Sequence, residues 1–312
     1  MATTLVQGLY IETQGDGAPV VCIHGLGGSS NNWTPVLGAF EGKRVIRIDL
    51  PGSARSELPA QKLSIDGYVD VIAAALREMK IEQADVVAHS MGTIVAQHLA
   101  IRHPQLVKSL ALFGPLLAPP DAGREGMRQR AALARDKGVA GLQEIADAIV
   151  KGATSDETKA QRPVTLALVR ESVMRQSPEG YAQSCEALAG AQAAPVEQIK
   201  VPTLLVTGDQ DGVGKPEAVQ AMGERIAGAK VVVLSGCGHW TTFEKPAESQ
   251  AQLQAFYSAA LREYILPYDA LRASADPDQA LLDFARSTYA AAADLARWER
   301  AALECDLPDR AA

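Results

Sequence analysis

One serine lies at the junction between an apolar run that is typical of a buried strand and a segment with the pattern of a helix. The run is VVAHSMG, which contains Ser90, and TIVAQHLA follows it. A sharp strand-to-helix turn projects its side chain beyond the carboxyl end of a sheet, where α/β proteins place their ligands. The turn requires small residues two positions before and after it, and Ala88 and Gly92 satisfy that requirement. The pattern predicts a nucleophile, with a purely structural serine as the alternative.

A serine hydroxyl becomes a useful nucleophile only beside a base, and the base needs an acid to orient its ring. Of the five histidines, His239 is the best placed, because SGCGHW follows the apolar strand VVVL. In TLLVTGDQDG, Asp211 is the predicted acid, whereas Asp209 is expected to serve the turn. The other histidines are expected to pack or to hydrogen-bond locally: His24, His89, His98 and His103.

Acyl transfer also needs hydrogen-bond donors for the negative charge that develops on the former carbonyl oxygen. The candidates are the backbone N–H groups of Met91, at the start of the helix, and of Leu26, in the loop HGLGG. Together with the serine, the aspartate and the histidine, these donors predict an acyl-transfer site. No metal ion and no cofactor is expected to take part.

Apolar segments alternate with segments of helical period along most of the chain. The predicted strands are LYIET, VVCIH, RVIRIDL, ADVVAH, SLALFG, PTLLVTG and KVVVLSG. Strands that are apolar throughout and alternate with helices indicate a mostly parallel sheet covered by helices on both faces. The predicted class is therefore α/β, and the catalytic candidates follow strands at their carboxyl ends.

The alternation stops between residues 115 and 195, where only helical patterns occur, including a helix that Ser177 can cap with Pro178 at its first position. We predict a helical cap over 115–195, inserted in an α/β core formed by residues 1–114 and 196–264. Residues 265–312 are predicted to form a C-terminal helical extension with a heptad-like apolar stripe. Docking of that helix on its own domain is favoured over a homodimer seam, because small residues weaken the stripe.

Composition excludes several classes of protein. The chain has 312 residues with 47% apolar and 21% charged residues, which is ordinary for a globular protein. A net charge of −7 argues against a nucleic-acid partner. The sequence shows no signal-peptide pattern and no apolar segment that could span a bilayer, so no membrane partner and a cytoplasmic location are expected. The four cysteines lack paired spacing and are expected to be reduced.

These motifs resemble the α/β-hydrolase superfamily over residues 5–262. HGLGG, DLPGSARS, AHSMG, GDQDG and GCGHW correspond to its oxyanion loop, the loop after the third strand, the nucleophile elbow, the acid turn and the histidine loop. The order serine, aspartate, histidine is also that of the superfamily. The family usually has a His-Gly pair where this chain has Ser53 and Ala54, a change that concerns the pocket entrance and leaves the triad intact.

Within the superfamily the chain looks most like 3-oxoadipate enol-lactonases and small carboxylesterases, through HGLGGSSNNW, LAIRHP and SPEGYAQSCEALAGA. The resemblance implies a substrate with carboxylates. Arg124 and Arg128, one helical turn apart in the cap, are candidates for binding them, with a solvated basic face as the alternative. Trp33 and Trp240 flank the catalytic loops and are candidates for lining the pocket, with core packing as the alternative.

The predicted function is hydrolysis of a small ester or lactone through an acyl-enzyme. Carbon–carbon bond hydrolysis and perhydrolysis are alternatives on the same triad, and a non-catalytic ligand receptor with the hydrolase fold is a third. A dehalogenase is disfavoured because it needs a carboxylate nucleophile where this chain has Ser90. In each case the expected partner is a small molecule.

Overall fold

The computed structural model describes residues 2–258. The chain divides into two units, residues 1–254 and 255–312, and the fold below is that of the first. The predicted extension over 265–312, the predicted end of the core at residue 264 and Cys305 lie outside the described residues.

An eight-stranded sheet forms the centre of the described unit, in the order β1-β2-β4-β3-β5-β6-β7-β8. The strands are β1 (Ala2–Val6), β2 (Leu9–Gln14), β3 (Ala18–Ile23), β4 (Lys43–Ile48), β5 (Ala84–His89), β6 (Val107–Phe113), β7 (Thr203–Gly208) and β8 (Lys230–Leu234). β1 pairs with β2, and β2 with β4, in the antiparallel sense, whereas β3 to β8 run parallel. The prediction of a mostly parallel sheet is confirmed.

The strand β1 is absent from the sequence-based prediction. Its first four residues are exposed, so ATTLV lacks the apolar run that marks the other strands. A two-residue turn joins it to β2, and Gln7 and Gly8 in that turn have positive φ angles of 53° and 76°. That conformation is typical of the type I′ hairpin, whose twist matches that of the flanking strands.

Helices cover both faces of the sheet, as predicted. They are α1 (Ile65–Glu78), α2 (Met91–Arg102), α3 (Asp121–Lys137), α4 (Val139–Ala153), α5 (Asp156–Gln161), α6 (Pro163–Met174), α7 (Pro178–Ala189), α8 (Pro216–Arg225) and α9 (Thr241–Glu244), and a further helix begins at residue 246. A 3-10 segment, Ser30–Phe40, follows the loop after β3. None of the described helices is both long and apolar enough to cross a membrane.

The largest apolar cluster lies between the sheet and helices α1, α2 and α8. β5 is buried along its whole length because helices pack on both of its faces. Helices α3 to α7 lie between β6 and β7, and in the described structure this range contains no strand. Ser177 caps α7 as predicted, since its side chain accepts a hydrogen bond of 3.0 Å from the N–H of Gly180.

Candidate active site

The turn at Ser90 has a strained backbone geometry. Its backbone angles are φ 52° and ψ −123°, a region that non-glycine residues rarely adopt. Its N–H donates to the carbonyl of Phe113 at 2.9 Å, which fixes the turn to β6. A β-carbon at Gly92 would lie 2.5 Å from the carbonyl oxygen of His24, so only glycine fits there. The methyl group of Ala88, in contrast, is fully buried beside the turn.

The structure brings the three predicted triad residues into one hydrogen-bonded chain. Ser90 Oγ lies 2.8 Å from His239 Nε2, and His239 Nδ1 lies 2.8 Å from Asp211 Oδ2. All three residues are buried. Because Nδ1 faces a carboxylate, it carries the proton, and Nε2 is left as the acceptor for the serine hydroxyl. This arrangement can accept a proton from Ser90 as its oxygen attacks a carbonyl carbon.

Asp211 is held as a carboxylate by its surroundings. Burial by itself raises its pKa, but the charge of His239, its hydrogen bond, and the N–H groups of Val213 and Gly214 outweigh that effect and lower the pKa to about 2. The two N–H groups donate to Oδ1 at 2.7 and 2.8 Å, so Oδ2 stays directed at His239. The acid is therefore ionised at neutral pH and can stabilise an imidazolium.

The carboxylate of Asp209 bonds the neighbouring histidine loop. The residue is exposed, and its carboxylate accepts from the N–H groups of Gly236 and Cys237 at 3.0 Å each. These bonds connect the acid turn after β7 to the loop that carries His239.

Glu244 organises the histidine loop, a role that no sequence motif predicts. The fully buried carboxylate accepts from the N–H groups of Ser155 at 2.7 Å, Gly238 at 3.1 Å and Trp240 at 3.0 Å. Glu244 thereby links Gly238 and Trp240, which lie on either side of His239, to Ser155, which lies just after α4. A glutamate in a short helix carries no sequence signal for this role, because its partners are backbone groups.

The predicted oxyanion donors lie in the expected elements. Met91 is the first residue of α2, where N–H groups have no intrahelical acceptor and the helix dipole is positive. Leu26 follows Gly25, where a β-carbon would lie only 2.7 Å from the β-carbon of Ser90, so this loop passes directly beside the serine. Among residues 2–258, the N–H groups of Leu26 and Met91 make no hydrogen bond. Both are therefore available to a developing oxyanion.

Buried polar contacts hold the oxyanion loop in place. His24 donates from Nδ1 to the carbonyl of Gly25 at 2.8 Å, while its Nε2 accepts from the N–H of Leu50 at 2.9 Å. Burial lowers the pKa of His24, so its ring is neutral and both contacts are satisfied.

Asp49 accepts from the N–H of Ser30 at 2.7 Å and from Nε of Arg55 at 2.8 Å. Asp49 and Arg55, for which the sequence motifs predict no such role, thereby connect DLPGSARS to the residues just after the oxyanion loop.

Helices α6 and α7 and the turn between them also contact the oxyanion loop. Ser172 in α6 donates to the carbonyl of Gly27 at 2.8 Å, and Gln176 donates to the carbonyl of Gly28 at 3.0 Å. The ring of Tyr181 in α7 packs so close to Gly27 that a β-carbon there would lie 3.2 Å from it. These helices therefore help to hold the loop HGLGG in place.

Trp33 and Trp240 are both buried against aromatic neighbours. Trp33 packs edge-on against Phe113 with 6.2 Å between ring centroids, and Trp240 stacks on Phe243 at 5.8 Å. Within the described residues neither indole N–H has a hydrogen-bond partner. The packing agrees with the core alternative, while the two unpaired donors keep both residues as candidates for the substrate pocket.

Arg124 and Arg128 do not occupy the positions that the resemblance implied. Arg124 donates to the carbonyls of Ala189 and Ala191, at and just past the end of α7. The side chain of Arg128 is 59% exposed and lies 3.4 Å from that of Glu125. These contacts favour the alternative, in which this pair does not present positive charge to a substrate carboxylate. The sequence spacing places both on one face of α3, but the packing of α3 on α7 decides what that face contacts.

Replacement of Arg124 by alanine should therefore affect stability rather than substrate affinity. Loss of two charged hydrogen bonds at a helix end is expected to lower the free energy of unfolding by about 1–2 kcal/mol. The KM ratio between a carboxylated and a neutral substrate should not change. Urea denaturation and steady-state kinetics measure both, with Arg128→Ala as the matched control, expected within about 0.5 kcal/mol of wild type. A selective rise in KM for the carboxylated substrate would contradict this assignment.

The described cysteines Cys22, Cys185 and Cys237 are buried free thiols. Burial raises the pKa of each thiol, which keeps it protonated. Among the described residues, no group of three or more His, Cys, Asp or Glu side chains is placed to hold a metal ion.

Comparison with known proteins gives the same class that the fold and the site define. A family model described as alpha/beta hydrolase fold matches residues 18–246. The chain belongs to the α/β-hydrolase family. A second model, a family of unknown function (DUF5996), matches residues 243–305.

The similar relatives and solved structures include two enol-lactonases and a 2-hydroxymuconate semialdehyde hydrolase. The chain is 30% identical to 2-hydroxymuconate semialdehyde hydrolase of Pseudomonas sp. (strain CF600), over 80% of this chain and 90% of that protein. It is 28% identical to 3-oxoadipate enol-lactonase 2 of Acinetobacter baylyi, over 75% of this chain and 86% of that protein. The crystal structure of the enol-lactonase from Burkholderia xenovorans LB400 matches with a TM-score of 0.73 and 26% identity, covering 82% of this chain and 100% of that one.

Proposed function

We propose that this protein is a serine hydrolase that cleaves a small ester or lactone through an acyl-enzyme. The observation that carries the proposal is the chain of two 2.8 Å hydrogen bonds from Ser90 through His239 to Asp211. The strained turn at the serine and the two unpaired N–H groups beside it support the same reaction.

In the first half-reaction Ser90 Oγ attacks the carbonyl carbon, and its proton moves to Nε2 of His239. Asp211, ionised because its pKa is about 2, stabilises the imidazolium through Nδ1. The N–H groups of Leu26 and Met91 bind the negative oxygen of the tetrahedral intermediate. Collapse breaks the bond to the leaving oxygen, which takes the proton from His239 and leaves an acyl group on the serine.

In the second half-reaction water takes the place of the leaving group. His239 removes a proton from the water as its oxygen attacks the acyl carbon, and the proton then returns to Ser90 Oγ. The products are a carboxylic acid and an alcohol, or a single open-chain hydroxy acid or keto acid from a lactone or enol-lactone. The reaction consumes only water, so no cofactor is needed.

Carbon–carbon bond hydrolysis is the second candidate. It is supported by the 30% identity to 2-hydroxymuconate semialdehyde hydrolase over most of both chains. The same groups would attack a ketone or an aldehyde carbon, and the leaving atom to be protonated would be carbon instead of oxygen. The two candidates therefore differ in the bond that is broken and share Ser90, His239 and Asp211.

Labelling by a fluorophosphonate probe tests the proposal. We expect stoichiometric modification of the wild-type protein, with the adduct located on Ser90 by peptide mass spectrometry. A matched control is Ser109→Ala, which removes a buried hydroxyl that bonds Asp85 near the start of β6, away from the carboxyl ends of the strands. It should be labelled like wild type. An unlabelled wild-type protein, or an adduct on another serine, would refute the proposal.

A substrate panel then distinguishes the two candidates. It contains a dicarboxylic enol-lactone, a neutral lactone, short p-nitrophenyl esters and 2-hydroxymuconate semialdehyde. We expect the highest kcat/KM among the esters and lactones. A clear preference for the semialdehyde would select carbon–carbon bond hydrolysis instead.

A further inference from the structure

His89 precedes the nucleophile in sequence and contacts the catalytic histidine in space. It is 3% exposed and ends β5, so its ring lies at the carboxyl edge of the sheet. Its Nε2 lies 2.8 Å from the backbone carbonyl oxygen of His239. A single side chain thus joins the nucleophile elbow to the histidine loop, which lies 150 residues further along the chain.

The ring of His89 is enclosed by parts of the site. Its centroid is 4.9 Å from that of His239 and 5.5 Å from that of Trp240, with interplanar angles of 42° in both pairs. On the oxyanion-loop side, a β-carbon at Gly25 would lie 3.2 Å from Nδ1 of His89. Glycine at that position therefore makes room for both the loop and the ring.

The hydrogen bonding fixes the protonation state of this ring. Nε2 faces a carbonyl oxygen, so it must carry a proton, whereas Nδ1 has no partner among the described residues. A second proton on Nδ1 would be buried without an acceptor and would add positive charge beside His239. Burial and the charge of His239 accordingly lower the pKa of His89 to about 3. His89 is a neutral hydrogen-bond donor throughout the range in which the triad works.

The backbone of His239 is held by two hydrogen bonds from opposite directions. Its N–H donates to the carbonyl of Ala153 at the end of α4, and its carbonyl accepts from His89 at the end of β5. Without the bond from His89, the buried carbonyl of His239 would lose its hydrogen-bond partner, and its peptide group would be freer to rotate. Such a rotation would move the imidazole, whose Nε2 must stay within hydrogen-bond reach of Ser90.

We propose that His89 is a positioning residue for the triad: its Nε2–H holds the His239 backbone, and through it the contact between His239 and Ser90. This inference rests on the proposed serine mechanism and adds to it a residue that does not touch the reacting atoms. A ring that only fills space would need no donor at Nε2, so the hydrogen bond and the packing make different predictions.

Three variants separate the two roles. In His89→Gln, the side-chain N–H donor is as many bonds from the backbone as Nε2 of histidine is. His89→Phe keeps a ring of similar size but has no donor. In His89→Asn, the donor is one bond closer to the backbone, as Nδ1 of histidine is. We expect kcat to fall by about 10- to 100-fold in the Phe and Asn variants, with KM changed less than about threefold, because a misplaced base slows chemistry more than binding. His89→Gln should recover most of kcat. Fluorophosphonate labelling rates should follow the same order.

The comparison is made at a temperature where each variant is folded, as judged by its melting curve. Wild-type kcat in a folded Phe variant, or equal losses in the Gln and Phe variants, would overturn the positioning role while labelling of Ser90 keeps the serine mechanism intact. If the Phe variant does not fold, the Gln and Asn pair decides, since both carry an amide and differ only in reach. Equal kcat in that pair would overturn the inference. Failure of the wild-type protein to be labelled would overturn the mechanism and this inference together.

Discussion

Replacement of Ser90 by alanine is expected to lower kcat/KM by about 10⁴-fold or more and to leave the fold intact. In the proposed mechanism the Ser90 hydroxyl forms the bond to the substrate, whereas the N–H donors of Leu26 and Met91 remain in the variant. Residual turnover should therefore stay above the uncatalysed rate. Steady-state kinetics with the best substrate of the panel, and loss of fluorophosphonate labelling, measure the effect.

Ser90→Gly adds a result that distinguishes a strained nucleophile from an ordinary residue. The angles φ 52° and ψ −123° suit glycine and strain any residue with a β-carbon. Strain of this kind costs about 1–3 kcal/mol. We expect Ser90→Gly to be more stable than Ser90→Ala by about 1 kcal/mol in urea denaturation, because glycine relieves the strain but adds entropy to the unfolded chain. Activity should be lost equally in both.

Ser109→Ala serves as the control for both changes. It removes a hydroxyl that bonds Asp85 at 2.7 Å, so it should lower stability and retain turnover. Wild-type turnover in a folded Ser90→Ala protein would rule out the serine mechanism. Equal stability of the alanine and glycine variants would show that the turn carries no strain.

The parts of the fold that were predictable are those whose burial leaves a mark in the sequence. β5 is apolar because both of its faces are covered, and its predicted residues ADVVAH are the observed strand. β1 was missed because its first four residues are exposed and a hairpin turn, rather than an apolar run, determines its pairing. Residues 115–195 were predicted to be helical, and α3 to α7 lie in this range. Their side-chain contacts were not predictable, because the spacing of Arg124 and Arg128 in the sequence does not reveal that α3 packs on α7.

The three positions of the hydrogen-bonded chain, Ser90, His239 and Asp211, were predictable because each is a particular residue type in a particular turn. The groups that support them were not. Glu244, Asp49 and His89 bind backbone N–H or carbonyl groups, and a backbone partner leaves no trace in the sequence. Their partners are also distant along the chain, up to 150 residues for His89. A sequence can therefore indicate which chemistry is available while the structure alone reveals what holds the reacting groups in place.

Asp211→Asn should be nearly as damaging as loss of the nucleophile, with an expected fall in kcat of about 10⁴-fold at neutral pH. An asparagine amide can donate to Nδ1 of His239, which would move the imidazole proton to Nε2. That nitrogen would then be a donor and could not accept the proton of Ser90. The matched control is Asp209→Asn in the same turn, because Asp209 is exposed and bonds the residues 235–237 instead of the His239 ring. It should lose less than about tenfold.

The same substitution should change how stability depends on pH, and the sign follows from the pKa of Asp211. Its value is about 2 in the folded protein against 3.8 in an unperturbed carboxyl, so ionisation stabilises the folded state above about pH 4. The contribution, about 2 kcal/mol, is lost as the pH falls from about 4 through 2. The difference in unfolding free energy between wild type and Asp211→Asn, measured in urea, should therefore shrink over that interval. A constant difference would mean that His239, Val213 and Gly214 do not stabilise the ionised form of Asp211 in the folded protein. The hydrogen bonds of Oδ1 and Oδ2 would then orient the His239 ring without stabilising its charge.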